Sequence, residues 1–296
     1  MSYEKTRGLI AAPPTPFGED GDVEFDVIEP MADFLHENGV SGVFVNGTTG
    51  EGPLLAVRER RAIAQTWRDV LPEDMKMFVH VGYVSLEDSI LLSEHAESIG
   101  VDAIGAMPSP FFQPDDVDVL TGWCEKLAAA ADLPFYLYHM PELCGVNVSI
   151  CDFLQTATGR VPNLAGVKFT YEAMNDYMAA LRLDNGRFDL LWGRDEMLLG
   201  ALAMGAEGAV GSTYNCAAPL YLNIIKAFEA GDFDAARELQ HRSIRLIDAM
   251  AGTGHCGSAL KSLMARQGVP IKPYVRSPQT EAPEDVLAAL ELPDWA

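Results

Sequence analysis

Short runs of apolar, β-branched and aromatic residues recur along the chain, each closed by glycine, proline or a polar residue. They span 8–17, 42–47, 76–82, 103–108, 134–139, 164–170, 189–194 and 208–214. Continuous apolar runs of this length are how strands buried on both faces read, as in a parallel sheet. Between them, apolar residues return every three or four positions, the period of an amphipathic helix, over 26–37, 54–70, 86–99, 117–131, 150–157, 175–183, 196–204 and 219–228. An eightfold strand–helix alternation predicts an α/β fold of one kind, a (β/α)8 TIM barrel with its helices outside. Three further helical patterns follow, at 233–251, 258–267 and 283–290. No linker-like stretch separates them, so a barrel over 1–230 and a C-terminal helical extension over 231–296, packed on it, are expected to form a single domain. The competing fold, a doubly wound open sheet, would place a Gly-rich dinucleotide loop after the first strand. Here that strand runs into Pro-Pro-Thr-Pro-Phe (13–17).

Composition narrows the function classes. The 296 residues are 48% hydrophobic and 22% charged, ordinary for a globular enzyme and unlike a disordered chain. No apolar run approaches the ~20 residues of a membrane span, and the first residues carry no signal-peptide pattern. A cytoplasmic location is the default. The formal charge of −22 argues against binding nucleic acid or anionic membranes. High-salt adaptation would give this balance, and so would ordinary acidity. An anion site in such a chain must create positive potential locally, from backbone N–H groups, a helix N-terminus or a placed cation. Cys124, Cys144, Cys151, Cys216 and Cys256 are odd in number and dispersed, a pattern of reduced thiols. His80 and His139 lack partners at metal-ligand spacing, so no metal site is expected.

In a barrel of this kind, chemistry belongs at the C-terminal ends of the strands. Lys168 closes an apolar run there. Inside a barrel its ammonium would be desolvated, its pKa would fall, and the neutral amine would be a nucleophile for a ketone. The alternative is a lysine whose tip reaches solvent. Tyr138 ends the preceding strand, either as a proton shuttle or as a half-buried aromatic. Gly47-Thr48-Thr49-Gly50 precedes a helix expected to begin near Pro53, so its N–H groups and the helix dipole suit a carboxylate. A plain Gly-rich turn is the alternative. Asp195 and Glu196 suit a polyol, with Ser212 adding a polar contact, unless the acids merely cap the next helix.

The motifs Thr15-Pro16-Phe17, Gly47-Thr48-Thr49-Gly50-Glu51, Tyr138-His139-Met140-Pro141, Gly166-Val167-Lys168 and Gly211-Ser212-Thr213-Tyr214-Asn215 occur in one order. Together they resemble the pyruvate-dependent class I aldolases, the family that includes N-acetylneuraminate lyase and dihydrodipicolinate synthase. The segments around 44–52, 110–112, 134–141 and 192–196 look most like the lyase branch, particularly its animal-type members. Leu143 stands where the synthase usually has an arginine, which disfavours that activity. The resemblance implies reversible cleavage of N-acetylneuraminate to pyruvate and N-acetylmannosamine through an imine on Lys168, with no dissociable cofactor. Tyr138 and Thr49 join Lys168 in the catalytic set it implies. Thr48, Thr49, Thr170, Gly193, Asp195, Glu196, Gly211 and Ser212 would bind the substrate, a sialic acid or related 2-keto-3-deoxy sugar acid. A homotetramer is the expected assembly. Phe112 departs from a tyrosine that many bacterial members contribute to a neighbouring subunit's proton relay. Phenylalanine carries no transferable proton, so that relay does not carry over intact. A sibling aldolase or dehydratase for another sugar acid, and a non-catalytic sugar-acid binder, are the alternatives.

Overall fold

A computed structural model of the chain describes residues 3–82 and 84–292. Eight parallel strands close into one barrel in sequence order: β1 (Gly8–Ala11), β2 (Gly42–Val45), β3 (Lys76–His80), β4 (Ala103–Ala106), β5 (Phe135–His139), β6 (Leu164–Phe169), β7 (Asp189–Trp192) and β8 (Gly208–Gly211). Each lies within an expected run and most stop short of its end. The first shortens most, because residues 13–17 include three prolines, which have no N–H to donate to a ladder. β8 pairs with β1 from Gly8↔Gly208 to Ala11↔Gly211, closing the cylinder.

The outer helices are α1 (Ile28–Glu37), α2 (Val57–Val70), α3 (Leu86–Ser98), α4 (Val117–Ala128), a single-turn α5 (Pro141–Cys144), α6 (Ile150–Ala157), α7 (Met174–Arg182), α8 (Leu198–Met204) and α9 (Tyr214–Glu229). Several start on a side-chain cap. Ser85, Asp116 and Ser149 accept hydrogen bonds from the N–H groups of Asp88, Val119 and Asp152, satisfying donors the helix leaves unpaired. Then come α10 (Phe233–Gly252), α11 (Cys256–Ala265) and α12 (Glu284–Ala288). The last four residues of the expected extension, 293–296, lie outside the described residues.

The barrel is a filled core. At its N-terminal end Asp189, buried on β7, accepts hydrogen bonds from the Tyr136 hydroxyl at 2.9 Å and the Thr6 N–H at 3.0 Å. Burial raises the pKa of Asp189, and these bonds oppose the rise. Gly166, its register partner on β6, lets the two backbones approach: a Cβ there would stand 1.7 Å from the Asp189 carbonyl oxygen. Rigid packing at this end leaves the opposite rim to carry function.

Candidate active site

Lys168 and Tyr138 are register partners on β6 and β5, so both side chains leave the same face of adjacent strands. That face is the barrel interior. The Lys168 amine lies 4.2 Å from the centre of the Tyr138 ring and 4.3 Å from that of Phe44 on β2, and the residue is only 4% exposed. Burial lowers its pKa from 10.5 to about 7, against the opposing pull of the Asp195 charge. The desolvated amine expected from the sequence is therefore present, and near neutral pH a large fraction of it is the free base.

The Tyr138 hydroxyl lies 3.4 Å from Thr48 Oγ1 and donates to Met140 Sδ at 3.2 Å. Burial raises its pKa, and hydrogen bonding to Thr48 and Thr170 counters this only in part. It is thus a protonated phenol at neutral pH. The phenol ring meets Phe44 and His80 edge-on, at 5.7 and 5.8 Å between centroids. His80 accepts the Met107 N–H at its Nε2. Burial, with the charges of Arg60 and Lys168, holds its pKa well below the usual histidine range, making it a neutral wall. His139, next to Tyr138, packs on Phe169 and Tyr171; burial takes its pKa down to about 4. Neither histidine joins a metal-ligating cluster among the described residues.

The threonine loop is held from below and behind. Asn46 and Glu51 both take left-handed backbone angles, φ 61° and 56°. Asn46 Nδ2 donates to the Arg60 carbonyl at 2.8 Å, and Thr15 Oγ1 donates to the Gly50 carbonyl at 2.6 Å. Such conformations persist only where surrounding bonds enforce them. Glu51 is buried and ion-paired to Lys261 of α11 at 2.8 Å. Its other oxygen accepts from the Arg276 N–H at 2.8 Å and from Gln279 Nε2 at 3.0 Å. Helix α11 and the segment that follows it therefore grip the loop carrying Thr48, which is exposed, and Thr49, which is half-buried.

The helix expected near Pro53 is different in the structure. Residues Gly52–Leu54 form a single 3-10 turn, and α2 begins at Val57. The N–H groups of Glu51 and Gly52 turn back onto the carbonyls of Thr48 and Gly47. No long helix dipole points at the threonines, and a carboxylate there would depend on hydroxyls, local N–H groups and the lysine.

Asp195, expected either to bind polyol or to cap a helix, does no capping. Its Oδ2 crosses to the turn between β8 and α9 and accepts the Thr213 N–H at 2.9 Å and hydroxyl at 2.6 Å. Burial raises its pKa to about 6, opposed by those bonds. Gly211 is required beside it, since a Cβ there would sit 1.8 Å from Asp195 Oδ1. Gly193 has the same relation to Thr170, whose Oγ1 would lie 1.9 Å from an added Cβ. Ser212, half-buried, follows on the same rim. Glu196 is turned to Arg194, at 3.2 Å.

The structure thus joins Lys168, Tyr138 and Thr48 directly, seats Thr170 against Gly193 and Asp195 against Gly211, and keeps Glu196 on the rim. Sequence reasoning placed Phe44, Met140 and Arg194 in motifs without giving them a role, and missed Lys261. The alternation of Phe44 with its neighbours was masked by a strand buried on both faces. Phe112, without a hydroxyl, is 77% exposed and packs edge-to-face on Phe111 at 4.8 Å.

A closed eight-stranded barrel with a desolvated lysine and a phenol on adjacent strand ends has the parts of a Schiff-base enzyme. Its relatives carry the names of lyases and aldolases. The sequence profile of the dihydrodipicolinate synthetase family matches residues 5–292, and the chain belongs to this family. It is 39% identical to N-acetylneuraminate lyase of Mus musculus, covering 97% of this chain and 91% of that one. The Homo sapiens enzyme of the same name is also 39% identical, over 91% of this chain and 86% of its own. Among solved structures, the N-acetylneuraminate lyase (sialic acid aldolase) of Aliivibrio salmonicida superposes with a TM-score of 0.93 at 39% identity, covering 97% of this chain and 95% of its own. The Proteus mirabilis lyase matches with a TM-score of 0.93 at 37% identity, over 96% of each chain. Animal lyases and these two bacterial ones thus match the chain at similar identity, whereas the lyase of Mycoplasma synoviae matches at 26%.

Proposed function

We propose that the protein is a class I aldolase that reversibly cleaves N-acetylneuraminate to pyruvate and N-acetylmannosamine. The observation carrying this reading is the buried Lys168 amine, brought down to about 7, beside the Tyr138 ring. The free amine attacks the C2 ketone of the open-chain substrate. Water leaves as the carbinolamine becomes a protonated imine, and C2 becomes an electron sink. The C4 hydroxyl loses its proton, the C3–C4 bond breaks, and its electron pair forms the enamine as the aldehyde departs. The enamine takes a proton at C3, and water releases pyruvate and the amine.

Tyr138 moves the protons. A phenol with a raised pKa is rarely ionised, so it accepts one proton while passing its own onward, and Thr48 is the neighbouring hydroxyl. Thr48 and Thr49 hold the substrate carboxylate, with Thr49 supporting catalysis by orienting it. Thr170, Gly193, Asp195, Glu196, Gly211 and Ser212 bind the sugar portion. The covalent imine polarises C2, so no separate cofactor is assigned. The helical extension from residue 231, over the residues described, packs on the barrel as part of one domain, the assembly is a homotetramer, and the location is cytoplasmic. Among the described residues no helix is long and apolar enough to cross a membrane.

The test is pyruvate release from N-acetylneuraminate, read by coupled reduction to lactate, with Lys168→Ala as control. Turnover by the wild type and loss of more than nine-tenths of it in the variant are expected. Absence of pyruvate from folded wild-type protein would refute the reading.

A further inference from the structure

Residues 272–279, within the chain that follows α11, are fastened by Arg276 to the loops after β1 and β2. Its Nη2 donates to the Gly21 carbonyl, in the loop after β1, at 2.6 Å. Its Nη1 lies 2.8 Å from Glu59 in the first turn of α2, and its backbone N–H is the one accepted by Glu51, in the loop after β2. Lys261 secures the same segment: besides pairing with Glu51, its amine donates to the Tyr274 carbonyl at 2.6 Å. Both cations lie against one ring, Phe17, each 4.6 Å from its centre. The Arg276 side chain is 19% exposed and that of Lys261 is fully buried.

Glu51 stands two residues beyond Thr49, in a left-handed conformation that a glutamate keeps only when its surroundings enforce it. Thr48, at the other end of the turn, meets the Tyr138 hydroxyl at 3.4 Å. A shift at Glu51 is therefore a shift of the threonines relative to the reacting amine. Stability alone does not account for these ions, because a buried ion pair is often no better than apolar side chains of the same volume. Directional bonds do what apolar contact does not: they hold the loop in one orientation. We propose that residues 272–279 form a positioning strap, in which Arg276 and Lys261 set Thr48 and Thr49, through Glu51, to receive the carboxylate of the keto acid. The inference rests on the aldolase reading above. Both cations are positioning residues, acting on the substrate only through the loop.

The experiment compares pyruvate with acetone, which has the ketone and lacks the carboxylate. Borohydride trapping with peptide mapping reads each as an adduct on Lys168, and condensation with N-acetylmannosamine gives KM and kcat for pyruvate. Arg276→Ala should raise KM for pyruvate at least about tenfold and lower kcat by no more than about threefold, while acetone trapping stays within about twofold of wild type. Arg276→Lys, which keeps a cation for Glu59 and Phe17, should recover much of the loss. In the double variant Lys261→Met with Glu51→Gln, which leaves no uncompensated buried charge, the rise in KM should persist; should Arg276→Ala fail to fold, this variant and Arg276→Lys decide on the same readings. A KM for pyruvate within about twofold of wild type in the folded variants would overturn the proposal and leave the aldolase reading standing. So would equal losses with pyruvate and acetone, the mark of a disturbed lysine pocket rather than a displaced carboxylate site. If the wild type forms no Lys168 adduct with pyruvate, the aldolase reading fails and the proposal with it.

Discussion

Replacing Lys168 by methionine should abolish turnover and make the protein more stable. The wild-type fold carries an amine taken from 10.5 down to about 7, so folding at neutral pH requires a group that prefers to be charged in water to give up part of that charge. The shift corresponds to a penalty of roughly 4 kcal/mol at pH 7. The sign follows from proton counting. Between the folded value near 7 and the unfolded value of 10.5, the unfolded chain binds more protons, so wild-type stability rises with pH across that window. The penalty is fully present below the folded value and shrinks toward the unfolded one. At pH 9 roughly 2 kcal/mol remains. The Phe44 and Tyr138 rings, 4.3 and 4.2 Å from the amine, favour its charged form and return about 1 kcal/mol. Methionine fills a similar volume without charge. The expected gain is therefore about 3 kcal/mol at pH 7 and, with the folded amine neutral and the rings returning nothing, about 2 kcal/mol at pH 9. Urea unfolding of both proteins at the two pH values, at one protomer concentration, measures it. A variant no more stable than wild type at pH 7, or a gain that does not fall by pH 9, would refute the reasoning.

Three further outcomes follow from the same geometry. Tyr138→Phe should lower kcat about a hundredfold or more and change KM far less, because it removes a proton carrier and keeps the ring against Phe44; unchanged kcat would make the hydroxyl structural. The rate of pyruvate imine formation should rise about tenfold per pH unit below about 7 and level off above it, as Lys168 loses its proton; an inflection near 10 in a stopped-flow profile would show a solvated amine. Lys261→Met should cost about 3–5 kcal/mol in urea unfolding by leaving Glu51 buried without its counter-charge, and Glu51→Gln in the same chain should restore much of it; a loss that persists in the double variant would assign the effect to packing.

The barrel was legible because its evidence is local. Eight apolar runs separated by helical periods leave few alternatives, and Lys168 and Tyr138 could be found by asking which unusual residues end those runs. Strand ends were less legible, since chains like 208–214 stay apolar while passing from strand to helix: β8 stops at Gly211 and α9 begins at Tyr214. Pairings across the fold left no local trace. Glu51 meets Lys261 across 210 residues, and nothing in the spacing of either announces it. The ion pairs of Arg194 were invisible for another reason. A charged residue at a loop start is ordinary, and only the convergence of three connections, which bring Glu142, Glu172 and Glu196 to it, made it the centre of a cluster.

The central claim is that Lys168 forms an imine with a 2-keto acid. Borohydride reduction in the presence of pyruvate, followed by intact mass and peptide mapping, tests it most directly. The account predicts one stable pyruvate adduct per chain, located on Lys168 and absent from Lys168→Met. Folded wild-type protein that gains no adduct, or carries it on another lysine, would contradict the account at its first chemical step.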